Sequence, residues 1–194
     1  MNYIIVILIS YIIGSFPTSY LITKFVRKID IRNYGSCNPG ATNVFRVVGT
    51  IPGIITLLFD FSKGLIPVIL GNIFFKNIHI NILIGLFTII GHNWSVFLKF
   101  KGGKGVATGA GVSFGLIPVE FFIGIIIFLS VFLLTRYVSL SSISAAILIP
   151  VLCWLTNKPV SIKIFFTVVG LIIVLRHKDN IKRLLTKTEH KIRS

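Results

Sequence analysis

Six apolar stretches, at 2–23, 51–75, 80–98, 105–134, 140–156 and 161–175, alternate with shorter polar ones along the chain. As a helix the first, of 22 residues, rises roughly 33 Å, enough to cross a hydrocarbon core. It has neither the basic leading region nor the small-residue cleavage site of a signal peptide. The second carries Asp60-Phe61-Ser62-Lys63 in its interior, and the fourth runs for 30 positions with Pro118 in its middle. No internal repeat, soluble domain or low-complexity segment interrupts the series.

Charge settles how the fourth stretch is counted. Bases gather at 24–50 (Lys24, Arg27, Lys28, Arg32, Arg46), at 99–104 (Lys99, Lys101, Lys104) and in the tail from Arg176 to Arg193. The positive-inside rule puts all three clusters in the cytoplasm, so an even number of crossings must separate Lys104 from Arg176. One span over 105–134 gives three; a split at Pro118 gives four and also brings Arg136 inside. The pattern therefore predicts an all-α polytopic membrane protein, a single domain over 1–194 with seven transmembrane helical segments, some short or broken. Its N-terminus is outside and its C-terminus cytoplasmic. The half at 105–117 needs shielding by neighbours, because ~13 residues do not span the core.

Composition agrees: 54% of the 194 residues are apolar and 13% charged, against about a quarter charged in a soluble domain. A net charge of +15 on so apolar a chain points to anionic lipid, anionic substrates, or both. Asp30, Asp60, Glu120, Asp179 and Glu189 are the only acids, and no two are spaced to chelate a metal pair, which excludes two-metal phosphoryl chemistry. Cys37 and Cys153 fall on opposite membrane sides in this topology, so neither a disulfide nor a cysteine metal site is expected.

Three polar motifs carry candidate chemistry. The first is Gly35-Ser36-Cys37-Asn38-Pro39-Gly40-Ala41-Thr42-Asn43, followed by Arg46. Its glycines let backbone amides converge on an anion, and a helix beginning near Gly40 adds its positive end. Ser36, Asn38, Thr42 and Asn43 add neutral donors, and Arg46 can grip phosphate oxygens in pairs. A nucleotide loop needs lysine where Ala41 stands, and no strand precedes it. The bland alternative is a surface turn.

The second motif, Lys101-Gly102-Gly103-Lys104-Gly105, runs straight into an apolar helix at Val106. A membrane-surface anchor explains Lys99 and Lys101 but not three glycines, which only loosen an anchor. The third, from Arg176 to Arg183, places His177 and Asn180 on one helical face, beside Ile181; simple capping is the alternative. Before the fifth stretch, Ser139 is the expected N-cap, with Ser142 one turn on and able to face the site. Asp60 and Lys63 read as a structural pair holding their helix against the cytoplasmic loops.

In order, GSCNPGATNVFR, FLKFKGGKGVAT, RYVSLSS and RHKDNIKRLLTKTE, with DFSKG and GHNWSVFL between them, resemble the bacterial membrane acyl-phosphate:glycerol-3-phosphate acyltransferase family over nearly the whole chain. The resemblance implies one acyltransferase domain of seven membrane helices in the bacterial cytoplasmic membrane, its motifs facing the cytoplasm. It implies transfer of a fatty acyl group from acyl phosphate to the sn-1 hydroxyl of glycerol 3-phosphate, giving lysophosphatidic acid. It places Ser36, Asn38, Gly40, Thr42, Asn43 and Arg46 of the first motif, and Gly102, Gly103 and Lys104 of the second, around the phosphates. His177 and Asn180 then position glycerol 3-phosphate, and the hydroxyl proton passes either to His177 or to a phosphate oxygen of the donor. No cofactor, metal, nucleic acid or obligate protein partner is implied. Three positions depart from the family pattern: Cys37 and Lys187 stand for glycine, and Ser95 for proline.

An acyl phosphate is already activated, so no strong nucleophile is required, and no His-x4-Asp dyad occurs: five residues after His92 comes Phe97, and after His177, Lys182. The rival class is a transporter of phosphorylated metabolites, which broken helices and intramembrane charge would also suit. Against it, the polar motifs gather at one face and no two-fold repeat is visible.

Overall fold

The computed structural model describes residues 3–191, and among them every regular element is helical. The chain divides between Leu116 and Ile117 into two compact units.

The first unit is organised around α4 (Thr50–Phe75), which runs unbroken through Asp60 and Lys63. The first apolar stretch is two helices, α1 (Tyr3–Ser15) and α2 (Thr18–Arg27). Pro17 has no N–H to donate to a continuing helix, which is why the stretch breaks there. A 3-10 turn (Ile31–Asn33) and the short α3 (Ala41–Val47) lead to α4. α5 (Ile78–Asn93), a second 3-10 turn (Val96–Leu98) and α6 (Val106–Leu116) complete the unit.

Glycine sets the spacing of these helices. A Cβ on Gly14 of α1 would lie 2.0 Å from the Thr88 carbonyl oxygen of α5, and one on Gly91 of α5 would lie 2.2 Å from that of Tyr11. Gly64 of α4 and Gly111 of α6 meet the Thr108 and Phe61 carbonyls in the same reciprocal way. Lipid offers no hydrophobic drive for helix association, so backbones that approach this closely supply the packing instead.

The second unit stacks α7 (Pro118–Thr135), α8 (Val138–Leu155) and α9 (Val160–Arg176) in sequence; α10 (Lys178–Leu185) leaves α9 at 57°. Buried Glu120 at the start of α7 is paired with Lys158 at 3.2 Å and accepts a hydrogen bond from Thr156, tying down the α8–α9 turn.

The expected break in the 105–134 stretch falls at Ile117, between α6 and α7. Among the described residues, five spans are long and apolar enough to cross a membrane, six if α9 and α10 count as one bent span. α6, with 11 residues, rises only about 16 Å. Its short length fits burial among neighbours: Thr108, Gly109, Gly111, Val112 and Ser113 are all buried.

Candidate functional site

The first motif is a loop folded around one amide side chain. Asn43, 1% exposed, donates through Nδ2 to the Tyr34 and Ile31 carbonyls (2.9 and 3.3 Å) and accepts through Oδ1 from the Ser36 amide (2.9 Å). Its polar atoms are thus committed to the loop, so Asn43 shapes the site where the sequence suggested a donor to phosphate. Gly35 takes φ +59°, and a Cβ there would strike Asn43 Oδ1 at 2.3 Å. Gly40 caps α3 with extended backbone. Thr42 and Arg46, four apart and both half-buried, share one face of that helix. Before the loop, Arg32 is hydrogen-bonded to Asp30 (2.6 Å) and holds that carboxyl below the usual carboxylate range.

The second motif is held by backbone. The Gly102 and Gly103 amides donate to the Asn93 and His92 carbonyls at the end of α5 (3.2 and 3.0 Å). Neither amide is aimed at an anion. The reason for glycine here is contact: a Cβ would come within 2.0 Å of the His92 oxygen at Gly102 and within 2.2 Å of His92 Nε2 at Gly103. Gly105, at φ +83°, lies over the Asn93 side chain. Lys104 is half-buried while Lys101 is exposed. What the loop can offer a phosphate is the Lys104 ammonium and the opening amides of α6.

Both loops reach one hollow in this unit, lined by Pro39, Gly103, Asp60, Lys63, His92, Ser95 and the α1–α2 break. Lys63 Nζ lies 2.7 Å from Asp60 Oδ1 and donates to the Phe16 carbonyl at 3.1 Å. The pair, expected to hold its helix against the cytoplasmic loops, instead ties α4 to the α1–α2 break through Phe16.

In the second unit His177, 3% exposed, sits at the bend between α9 and α10. Its Nδ1 lies 2.7 Å from the Ile173 carbonyl. A carbonyl only accepts, so Nδ1 carries the hydrogen. Asn180 donates to Glu189 Oε1 at 2.8 Å. Ser139 is not the N-cap: Tyr137 occupies that position, and the Ser139 hydroxyl donates to Glu189 Oε1 at 3.0 Å. Ser142, one turn on, is buried and donates to the Val138 carbonyl of its own helix.

Glu189 was given no role from sequence, yet it gathers Ser139, Asn180 and Arg183 (2.7 Å). Burial pushes its carboxyl up, but the hydrogen bonds from Arg183, Asn180 and Ser139 outweigh that and hold it below its ordinary value. The signal was available, since it is a lone glutamate among seven bases of the tail. His92 was likewise passed over, although a histidine inside an apolar span is rare enough to single out.

These features define a helical membrane protein with two glycine-bearing loops beside basic side chains in one unit, and in the other a buried histidine at a helix bend and a buried glutamate that gathers Ser139, Asn180 and Arg183. Comparison with known proteins narrows the class. The family model for glycerol-3-phosphate acyltransferase matches residues 4–187. A glycerol-3-phosphate acyltransferase of Endomicrobium trichonymphae is 43% identical over 98% of this chain and 96% of its own. Glycerol-3-phosphate acyltransferase 2 of Moorella thermoacetica is 42% identical over 98% and 97%. The crystal structure of PlsY (YgiH), an integral membrane glycerol 3-phosphate acyltransferase, is similar in two forms. Its glycerol 3-phosphate form aligns with TM-score 0.94 at 38% identity, covering 98% of this chain and 96% of that one. Its lysophosphatidic acid form aligns with TM-score 0.91 at 36% identity, covering 98% and 95%. The chain belongs to the glycerol-3-phosphate acyltransferase family.

Proposed function

We propose that this protein transfers a fatty acyl group from acyl phosphate to the sn-1 hydroxyl of glycerol 3-phosphate. The reading rests on membership of this family together with two glycine-bearing loops, one flanked by half-buried Arg46 and the other by half-buried Lys104. Both substrates carry phosphate, so their mutual repulsion must be neutralised, and fixed positive groups aimed at the developing charge do this in the transition state.

The substrate hydroxyl oxygen attacks the acyl carbonyl carbon and a tetrahedral adduct forms. The bond from that carbon to the bridging phosphate oxygen then breaks, and phosphate leaves with the electron pair. The hydroxyl proton passes to a phosphate oxygen of the donor. Ser36, Asn38, Gly40, Thr42 and Arg46, on the loop Asn43 shapes, and Lys104, on the loop Gly102 and Gly103 seat, hold the phosphates. His177 and Asn180 position glycerol 3-phosphate, with Ser142 nearby. No acyl-enzyme forms, and the acyl chain lies between helices against lipid.

The seven-segment topology, with the site on the cytoplasmic side of a bacterial inner membrane, belongs to the same proposal. Cysteines placed at 76 and 158 are expected to react with an impermeant thiol reagent from outside, and one at 136 not to; outside labelling at 136 refutes it.

Purified protein in detergent should form lysophosphatidic acid from acyl phosphate and glycerol 3-phosphate, which no transporter does. His177→Asn then separates positioning from proton transfer. A raised KM for glycerol 3-phosphate with near-normal kcat and an unchanged pH profile is expected; a collapsed kcat with loss of the acidic limb makes His177 the base instead.

A further inference from the structure

His92 lies in the last turn of α5, inside an apolar stretch, and the reaction as derived makes no use of it. Its surroundings are specific. Its Nδ1 is 3.8 Å from Asp60 Oδ1, too far for a hydrogen bond but close enough for a carboxylate to orient the ring dipole. Asp60 is itself fixed by Lys63, whose ammonium is anchored on the Phe16 carbonyl. On the other side of the ring lies Gly103, with no room for even a methyl group between its Cα and Nε2. The His92 carbonyl also takes the Gly103 amide. The ring and backbone of one residue therefore seat the loop immediately before Lys104. The hollow these groups line has about 10 Å³ of free space, enough for roughly one water. It is a support and not a second substrate pocket.

We propose that His92, oriented by Asp60 and Lys63, is a positioning residue for Lys104: it fixes the height and direction from which the lysine reaches phosphate. The inference rests on the phosphate-holding role proposed for Lys104. A displacement of about 1 Å in a positioned group is enough to cost a large factor in rate. The seat acts through the lysine and touches no substrate.

A double-variant cycle on purified protein tests this, because residues that act through one another do not give independent losses. His92→Ala is expected to lower kcat/KM roughly tenfold, and Gly103→Ala, whose methyl must displace the ring, to do the same with His92 intact. In a Lys104→Ala background each loss should shrink below about twofold, since nothing remains to be misplaced. Losses that multiply in full, or single variants with full activity, overturn the inference. Should His92→Ala fail to fold, Gly103→Ala alone carries the cycle. If Lys104→Ala by itself leaves activity intact, the phosphate role of Lys104 has failed and the inference falls with it, an outcome distinct from multiplying losses.

Discussion

The two glycine-bearing loops look alike in sequence and are built in opposite ways. The loop at 35–43 is wrapped around the Asn43 side chain, and its special positions are dihedral: Gly35 and Cys37 both take positive φ. The loop at 101–105 is pressed onto the end of α5, and Gly102 and Gly103 are there because backbone meets backbone and ring. A glycine-rich string beside basic residues therefore does not say that its amides hold an anion. In one loop an asparagine takes up the donors and acceptors; in the other, α5 does. In both, the proposed hold on phosphate falls to groups at the start of a helix and one flanking base.

If that division is right, removing a base should cost far more than altering a loop. Arg46→Ala and Lys104→Ala are each expected to lower kcat by ~100-fold, on the order of 3 kcal/mol, the range for one partly desolvated contact to developing charge. Lys101→Ala should change little, since that side chain is exposed. Equal losses at Lys101 and Lys104 would mean that net charge at the surface, not a placed lysine, matters.

The next effect separates the loops by stability. Asn43→Ala strips three hydrogen bonds from the loop and leaves the Ile31 carbonyl with only the Tyr34 amide. At about 1 kcal/mol each, it should destabilise the fold by about 3 kcal/mol, with activity falling alongside Tm. Loss of activity with an unchanged Tm would instead make Asn43 a direct phosphate ligand.

Much of this was legible beforehand, and the departures from the family pattern show why. Cys37 and Lys187, standing for glycine, both have φ +57°, where glycine is the easy residue. Ser95, standing for proline, has φ −64°, the angle proline imposes, and it adds a hydrogen bond from its hydroxyl to the Ser15 carbonyl. At each of these positions the backbone angle suits the residue that the family pattern leads one to expect. The split near Pro118 was readable because charge parity demands it. What the sequence withheld was long-range. That Asn43 turns inward, that Glu189 reaches back to Ser139, and that Gly103 rests on His92 all depend on contacts between positions far apart in the chain or hidden by the folded loop. Local spacing suggested Ser139 as a cap because a serine before an apolar run is usually one; the nearby buried carboxylate claimed its hydroxyl instead.

The smallest effect follows from the same angles. Cys37→Gly should raise stability by about 1 kcal/mol, by relieving a left-handed backbone at a residue with a Cβ, and leave kcat unchanged. A fall in kcat would show that the thiol or the stiffened loop matters to catalysis.

In the proposed reaction, fixed positive groups and an already activated donor suffice, with neither metal nor nucleotide handle. Initial rates of lysophosphatidic acid formation by purified protein in EDTA, with acyl phosphate or acyl-CoA supplied in turn alongside glycerol 3-phosphate, measure it directly. Full turnover with acyl phosphate, one phosphate released per product and none with acyl-CoA, is the expected result. A strict requirement for Mg²⁺, or efficient turnover with acyl-CoA, would contradict it.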